Sequence, residues 1–208
     1  MENFLSPKIN LNEKQMKATN AHLNLLLKWK KVHNLTSLID LEDLYKFHYL
    51  DCFLGLKTLE SLVEVPGTIF DLGSGPGFPG LLAAVYWPDK EVNLVESSSK
   101  KCSFLKLACS EMNLHRTNVL GQRAEALRGI NFAITRATFS EKTRYMMKAC
   151  LAPKGKVACW VSEQQATEFK QDSQKKAEWV LEKEGYYELE PGHRRGIMVF
   201  HVKQAWEK

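Results

Sequence analysis

The sequence predicts an α/β protein: a largely parallel sheet covered by helices on both faces, preceded by a helical segment and closed by an antiparallel strand pair. Three observations predict it. Short apolar runs alternate with helix-like stretches after residue 67, and each strand–helix–strand step makes a right-handed crossover to a parallel neighbour. Apolar residues before residue 63 recur at helical spacing. Two final apolar runs are separated by little more than Pro191-Gly192, which favours antiparallel pairing at a sheet edge. A chain of 208 residues, 44% hydrophobic, suffices for one well-packed domain with an appendage and is too short for two full ones.

The first helix is expected from Asn10, paired with Glu13 as a cap, to His33, with Leu11, Ala18, Leu23, Leu26, Leu27 and Val32 on its apolar side. After a break at Asn34, Asp40 caps further helical pieces that continue to Leu62, with Glu42 and Asp43 in the first turn. Val65-Pro66-Gly67 is a connector, so residues 1–64 form a helical extension and 65–208 the α/β domain. The expected strands are Thr68 to Leu72, Val92 to Val95, Asn118 to Leu120, Phe132 to Thr135 and Val157 to Val161. Between and after them lie helices near Pro79 to Tyr86, Lys100 to Met112, Ser140 to Cys150 and Glu163 to Glu184. Tyr186 to Leu189 and Ile197 to Val202 make the closing pair.

Composition narrows the function. Charged residues at 25% and aromatics at 10% exclude a disordered, collagen-like or coiled-coil chain. No apolar run approaches the roughly 20 residues needed to span a bilayer. Met1 to Asn10 lacks a basic segment followed by an apolar one, which predicts a cytoplasmic protein. Cys52, Cys102, Cys109, Cys150 and Cys159 show no Cys-x-x-Cys pair and no His at ligand spacing, so free thiols and no metal site are expected. The histidines are read as surface or hydrogen-bonded residues.

Charge is unevenly placed. Residues 97–160 hold twelve Lys or Arg against three acids, and residues 161–190 four against eight. One face suited to a polyanion is the consequence, with a solvated charged surface the plainer alternative.

The most informative stretch is Ile69-Phe70-Asp71-Leu72-Gly73-Ser74-Gly75-Pro76-Gly77-Phe78-Pro79-Gly80, an apolar strand running through a glycine-rich turn into a helix. Such a turn lets a ligand approach the backbone and the helix's free N–H groups. Gly75, Gly77 and Gly80 satisfy Gly-x-Gly-x-x-Gly, a dinucleotide pattern that is weak by itself. Asp71 before the first glycine disfavours a pyrophosphate and suits a cationic amino group, held directly or through water. With two prolines and a long loop, S-adenosylmethionine fits better than NAD. Glu96, ending the second strand, is placed to accept hydrogen bonds from ribose hydroxyls. Gly121 to Glu125 follows the third strand, where backbone and side chain can meet an adenine edge; an exposed first helical turn is the alternative for Glu125.

Taken in order, Trp29, Asn34-Leu35-Thr36, His48-Tyr49-Leu50-Asp51, the loop Asp71 to Gly80, Lys100-Lys101 with Phe104-Leu105, Gly121 to Glu125 and Thr135-Arg136-Ala137 resemble the glucose-inhibited division protein B family. Those are bacterial methyltransferases specific for guanine N7 in 16S ribosomal RNA, and the order holds from about Asn10 to Lys203. The resemblance implies a Class I, Rossmann-like methyltransferase fold with an N-terminal helical extension. It implies S-adenosylmethionine contacts at Gly73, Phe78, Ala124, Glu125 and Arg136, and RNA contacts at Lys100, Lys101, Arg123 and Arg195. It also implies action on 16S ribosomal RNA or the small subunit; a monomer is expected. The chain departs from the family pattern at Cys52, Asn131 and Val161-Ser162, where the family has Ser, Asp and Lys-Gly. Alternatives left open are a methyltransferase of another RNA or a small molecule, an NAD-linked oxidoreductase, and a non-catalytic nucleotide-binding module.

Within this reading Arg136 orients the cofactor's methionine end or the incoming guanosine, with a surface ion pair as the alternative. Asp51 is read first as the N-cap of a helix starting at Cys52, and second as a carboxylate offsetting charge on a cationic product. Trp29 is assigned to core packing, and Lys28, Lys30 and Lys31 to a basic rim.

Overall fold

The computed structural model describes residues 8–33, 40–136, 141–175 and 179–202. Asn34-Leu35-Thr36 and Ala137 lie outside the described residues, as do the side chains of Lys30, Lys31 and Val32.

Helix α1 (Glu13–His33) opens on a reciprocal cap two residues beyond the expected one. Gln15 N–H donates to Asn12 Oδ1 and Asn12 N–H to Gln15 Oε1, both at 2.9 Å. Asn12 with Gln15, rather than Asn10 with Glu13, satisfies the free donors of the first turn. Next comes a continuous helical rod: α2 (Leu41–Leu44), a π-helical turn (Tyr45–Leu50) and α3 (Asp51–Leu62). Asp40 caps it as expected, accepting from Glu42 N–H at 3.0 Å.

The sheet contains β1 (Thr68–Leu72), β2 (Glu91–Val95), β3 (Thr117–Leu120), β4 (Ile130–Thr135), β5 (Leu151–Ser162), β6 (Trp179–Glu190) and β7 (His193–Val202), in the order β3-β2-β1-β4-β5-β7-β6. β1 pairs in parallel with both β2 and β4, and β5 pairs antiparallel with β7. Helices α4 (Gly80–Tyr86), α5 (Ser99–Glu111), α6 (Glu141–Cys150) and α7 (Glu163–Lys175) fill the connections. The helix expected through Glu184 ends at Lys175, and β6 begins at Trp179. Pairing from Trp179–Val202 to Glu190–His193 claims that stretch for the sheet, since a full-length partner outweighs the helical leaning of its Lys and Glu residues.

One face of the sheet is covered by α1, α3, α4 and α5 around Leu26, Leu56, Ile69, Leu82 and Phe104, and the other by α6 and α7 around Met147, Cys159 and Phe200. Trp29 stacks edge-on against Phe104 at 5.3 Å, the core role expected of it. Strand order reverses between β1 and β4, which opens a crevice beyond their carboxyl ends where ligands of open sheets bind. Among the described residues no helix is long and apolar enough to cross a membrane, and no cluster of His, Cys, Asp and Glu suits a metal. All five cysteines are free, four of them buried, and burial pushes the Cys109 and Cys150 thiols up to about 11.

Candidate active site

The glycine loop sits in the crevice and is tied from below. Gly73, Gly75 and Gly77 have φ of 79°, 56° and 101°, a region costly for residues with a Cβ. The Gly73 and Ser74 N–H groups donate to Val95 O, binding the loop to the end of β2. Glu96 accepts from Gly75 N–H at 3.0 Å and Ser98 N–H at 2.8 Å, so it organises the loop and the start of α5 together.

Asp71, expected to hold an amino group directly or through water, has a structural role beneath the loop. It is fully buried, and its Oδ2 accepts from Gly80 N–H at 3.0 Å beneath the loop, while Oδ1 has no hydrogen-bond partner among the described residues. Removal from water pushes its carboxyl up to about 7, because burial penalises the charged form. Asp71 therefore sets the strand–helix distance. A Cβ on Gly80 would lie 2.4 Å from Asp71 Oδ2, which is why a glycine follows Pro79.

From the opposite side α1 grips the same loop through a residue with no sequence signal of its own. His22 is fully buried, with Nε2 2.9 Å from Pro76 O and Nδ1 2.9 Å from Tyr49 Oη. Burial holds it down at about 4, so the imidazole is neutral and each nitrogen has a defined role.

A cavity of about 410 Å³ opens beside the loop, lined by Gly73, Ser74, Gly75, Pro76 and Phe78 on one side. His48, Arg136, Trp160, Gln165 and Arg195 close the other. His48 stacks on Phe78 with ring centroids 4.7 Å apart and accepts from Arg136 Nη1 at 2.7 Å. Arg136 also donates to Phe47 O and pairs with Asp51 Oδ2 at 3.0 Å.

Asp51 is thus not the helix cap expected of it. It lies in helical conformation inside a rod that continues through the π turn, so no free N–H groups need a cap there. Its fully buried carboxylate instead accepts from Tyr187 Oη at 2.8 Å and Arg195 Nε at 3.1 Å, besides pairing with Arg136. Two guanidiniums share one carboxylate, leaving one net positive charge on the cavity wall. Its oxygens are buried behind the cavity lining and engaged by these side chains.

Of the sequence-derived candidates, Gly73, Gly75, Phe78, Arg136 and Arg195 line this cavity together, with Gly77 in the same loop, Glu96 bonded to it, and Asp51 and Asp71 buried behind it. Ala124 and Glu125, in a 3₁₀ turn Ala124–Ala126, and Lys100, Lys101 and Arg123 do not line it. They stand just past the carboxyl ends of β2 and β3, where Glu96 N–H bonds to Leu120 O. Lys100 and Arg123 are exposed, and Lys101 is half-buried. Tyr187, His22, Trp160 and Gln165 join the site without belonging to any of the sequence motifs above. Their roles depend on contacts across 27 to 136 residues, apart from the Ser162-x-x-Gln165 spacing at a strand end, which marks a capping pair.

A family model described as rRNA small subunit methyltransferase G matches residues 15–194. Among curated relatives, ribosomal RNA small subunit methyltransferase G of Halorhodospira halophila is 37% identical over 129 residues, 62% of this chain and 59% of that protein. Its counterpart in Methylobacillus flagellatus is 41% identical over 106 residues, 50% of this chain and 49% of that protein. The matched segments thus span half to three fifths of these relatives' lengths. Among solved structures, a Klebsiella pneumoniae protein assigned as an O-methyltransferase superposes with a TM-score of 0.58 at 10% identity, covering 98% of this chain and 96% of that one. The ribosomal protein L11 methylase of Lactobacillus delbrueckii superposes at 0.54 with 14% identity, covering 76% and 79%. The mostly parallel seven-stranded sheet is the Class I methyltransferase fold.

Proposed function

Because this chain belongs to the rRNA small subunit methyltransferase G family, we propose that it transfers a methyl group from S-adenosylmethionine to N7 of a guanosine in 16S ribosomal RNA of the small subunit, acting as a cytoplasmic monomer. The observation that carries the reading is a family match over residues 15–194, which takes in the glycine loop, Arg136 and the basic edge beside them and stops one residue short of Arg195.

The residues present fit the cofactor. A Cβ at Gly73 would meet open space and one at Gly75 only Gly73 O at 3.9 Å, so both positions leave room for a ligand against bare backbone. Gly73, Gly75, Gly77 and Phe78 would form its cradle. Glu96, holding two N–H donors already, keeps lone pairs for ribose hydroxyls. Ala124 and Glu125 would flank the adenine, and Arg136 would face the methionine carboxylate or the guanosine. Asp71 acts from beneath, as the support of the loop. When bound, S-adenosylmethionine supplies a methyl on a sulfonium, which the N7 lone pair displaces directly as the carbon–sulfur bond breaks.

Guanine N7 carries no proton, so the reaction asks for no general base, and the work left to the protein is alignment. Asp51, with His48 and Tyr187, fixes the arginines that perform it; Asp51 is a positioning residue. Lys100 and Lys101 occupy the first turn of α5, where cations oppose the helix dipole. Their placement works against the helix and suits phosphates, as do Arg123 and Arg195.

The test is to incubate the protein with methyl-labelled S-adenosylmethionine and small-subunit RNA lacking the modification, then map the label to a nucleotide and atom. Label at one guanine N7 is expected. Cofactor binding with no label on RNA or subunits overturns the proposed substrate.

A further inference from the structure

We infer that Gln165, together with Arg195, donates to O6 of the target base and so selects guanine, an inference that rests on the guanine-N7 transfer proposed above. Ser162 and Gln165 cap α7 reciprocally. Ser162 Oγ accepts from Gln165 N–H at 3.2 Å, and Ser162 N–H donates to Gln165 Oε1 at 2.9 Å. Because an N–H donor claims the amide oxygen, the orientation of the carboxamide is fixed and its NH₂ group is left over.

Among the described residues, that NH₂ group donates to no protein atom. Arg195 spends Nε and Nη2 on Asp51 and leaves Nη1 in the same condition. The two belong together, since Ser162 lies opposite Arg195 in the β5–β7 register and both Gln165 and Arg195 line the cavity. Donors without protein acceptors on a cavity wall are available to an acceptor on the ligand.

Guanine offering N7 for methylation carries the acceptor O6 on the same edge, whereas adenine carries an amino group there. An adenine at this site would bury two sets of donors face to face, and sites built to hydrogen-bond a substrate group reject analogues lacking it strongly. With Nε and Nη2 held by Asp51, Arg195 has a single terminal nitrogen to offer, so it cannot take O6 and N7 together as a two-nitrogen fork.

The test uses Gln165→Glu, which keeps an acceptor for Ser162 N–H and removes the NH₂ group. The full chain is assayed on unmodified small-subunit RNA carrying guanosine, inosine (O6 retained) or 2-aminopurine (O6 absent) at the methylated position. Gln165→Glu should melt as the wild type does, yet lose about tenfold or more in kcat/KM on guanosine and inosine. The wild type should suffer a similar loss on 2-aminopurine, and the variant no further one. An equal loss on all three bases would assign the donors to a backbone phosphate and overturn the inference, as would undiminished transfer to guanosine. Absence of RNA label with the wild type is a separate result: it removes the methyl-transfer reading and this inference with it.

Discussion

Asp51 is the residue on which the cavity wall turns, and its two arginines are not equivalent to it. Asp51→Asn leaves two guanidiniums beside a buried, uncharged group, and removing one side of a buried ion pair costs about 3–5 kcal/mol. Arg136→Ala leaves Asp51 satisfied by Arg195 and Tyr187. Urea denaturation should therefore find Arg136→Ala much the more stable variant, folded but without methyl transfer. Wild-type turnover in that variant would remove Arg136 from the site.

Two buried groups give the stability a pH dependence that partly hides itself. His22 falls from its ordinary 6.5 to about 4, so the unfolded chain takes a proton that the folded one refuses, and stability is lost as pH drops from 6.5 towards 4. Asp71 rises from 3.8 to about 7, so its contribution is lost as pH climbs through that window. Between pH 4 and 6.5 the two oppose. Asp71→Asn preserves an acceptor for Gly80 N–H and removes one arm, so its unfolding free energy should rise by about 3 kcal/mol across that range, a shift of roughly 1.4 kcal/mol per pH unit. A flat profile for Asp71→Asn, by chemical denaturation at several pH values, would mean that His22 is not held neutral.

At the scale of elements, the strand–loop–helix unit depends on how closely α4 approaches β1 and β2. A Cβ at Gly80 would lie 2.4 Å from both Asp71 Oδ2 and Leu94 Cδ2, groups that cannot retreat into a filled core. Gly80→Ala should cost about 1–3 kcal/mol and weaken S-adenosylmethionine binding in a calorimetric titration, because the loop must shift to admit the methyl. Unchanged binding would show that the loop tolerates a displaced helix. Elements differ in how far the sequence exposes them. The strands β1 to β4 and the helices between them are bounded by local residues, and each expected boundary falls within two positions of the observed one. The β6 boundary is not local: Trp179 to Glu184 has helix-compatible composition, and its strand state comes from pairing with β7. Nor does any local pattern mark the π turn at Tyr45–Leu50, which carries His48 to Phe78 and delivers Asp51 to the arginines.

Taken whole, the molecule does not separate at residue 65 as cleanly as its chain does. We propose 1–64 as a helical extension and 65–208 as the Rossmann-like methyltransferase domain, yet Leu23, Leu26, Phe53 and Leu56 share one core with Ile69, Leu82 and Phe104. Deleting residues 1–64 uncovers that face and removes His22 from the glycine loop. The remaining fragment should lack a cooperative thermal transition by calorimetry, and a sharp transition in it would make the extension an independent appendage.

The α/β alternation, the glycine loop with its strand and helix, the carboxylate ending β2 and the basic edge are legible in the chain alone, because each is written in neighbouring residues whose turn chemistry and periodicity act locally. The surroundings of Asp51, Asp71 and His22 come instead from packing. Each is fully buried, and the partners of Asp51 and His22 come from elsewhere in the chain: Asp51 meets Arg136 and Arg195, and His22 meets Pro76 and Tyr49. Asp71 bonds within its own loop, but its full burial comes from the packing of β1 between β2 and β4 under the helices. Burial turns a polar side chain from a surface group into one that must find a partner or change its charge, and burial is settled by packing.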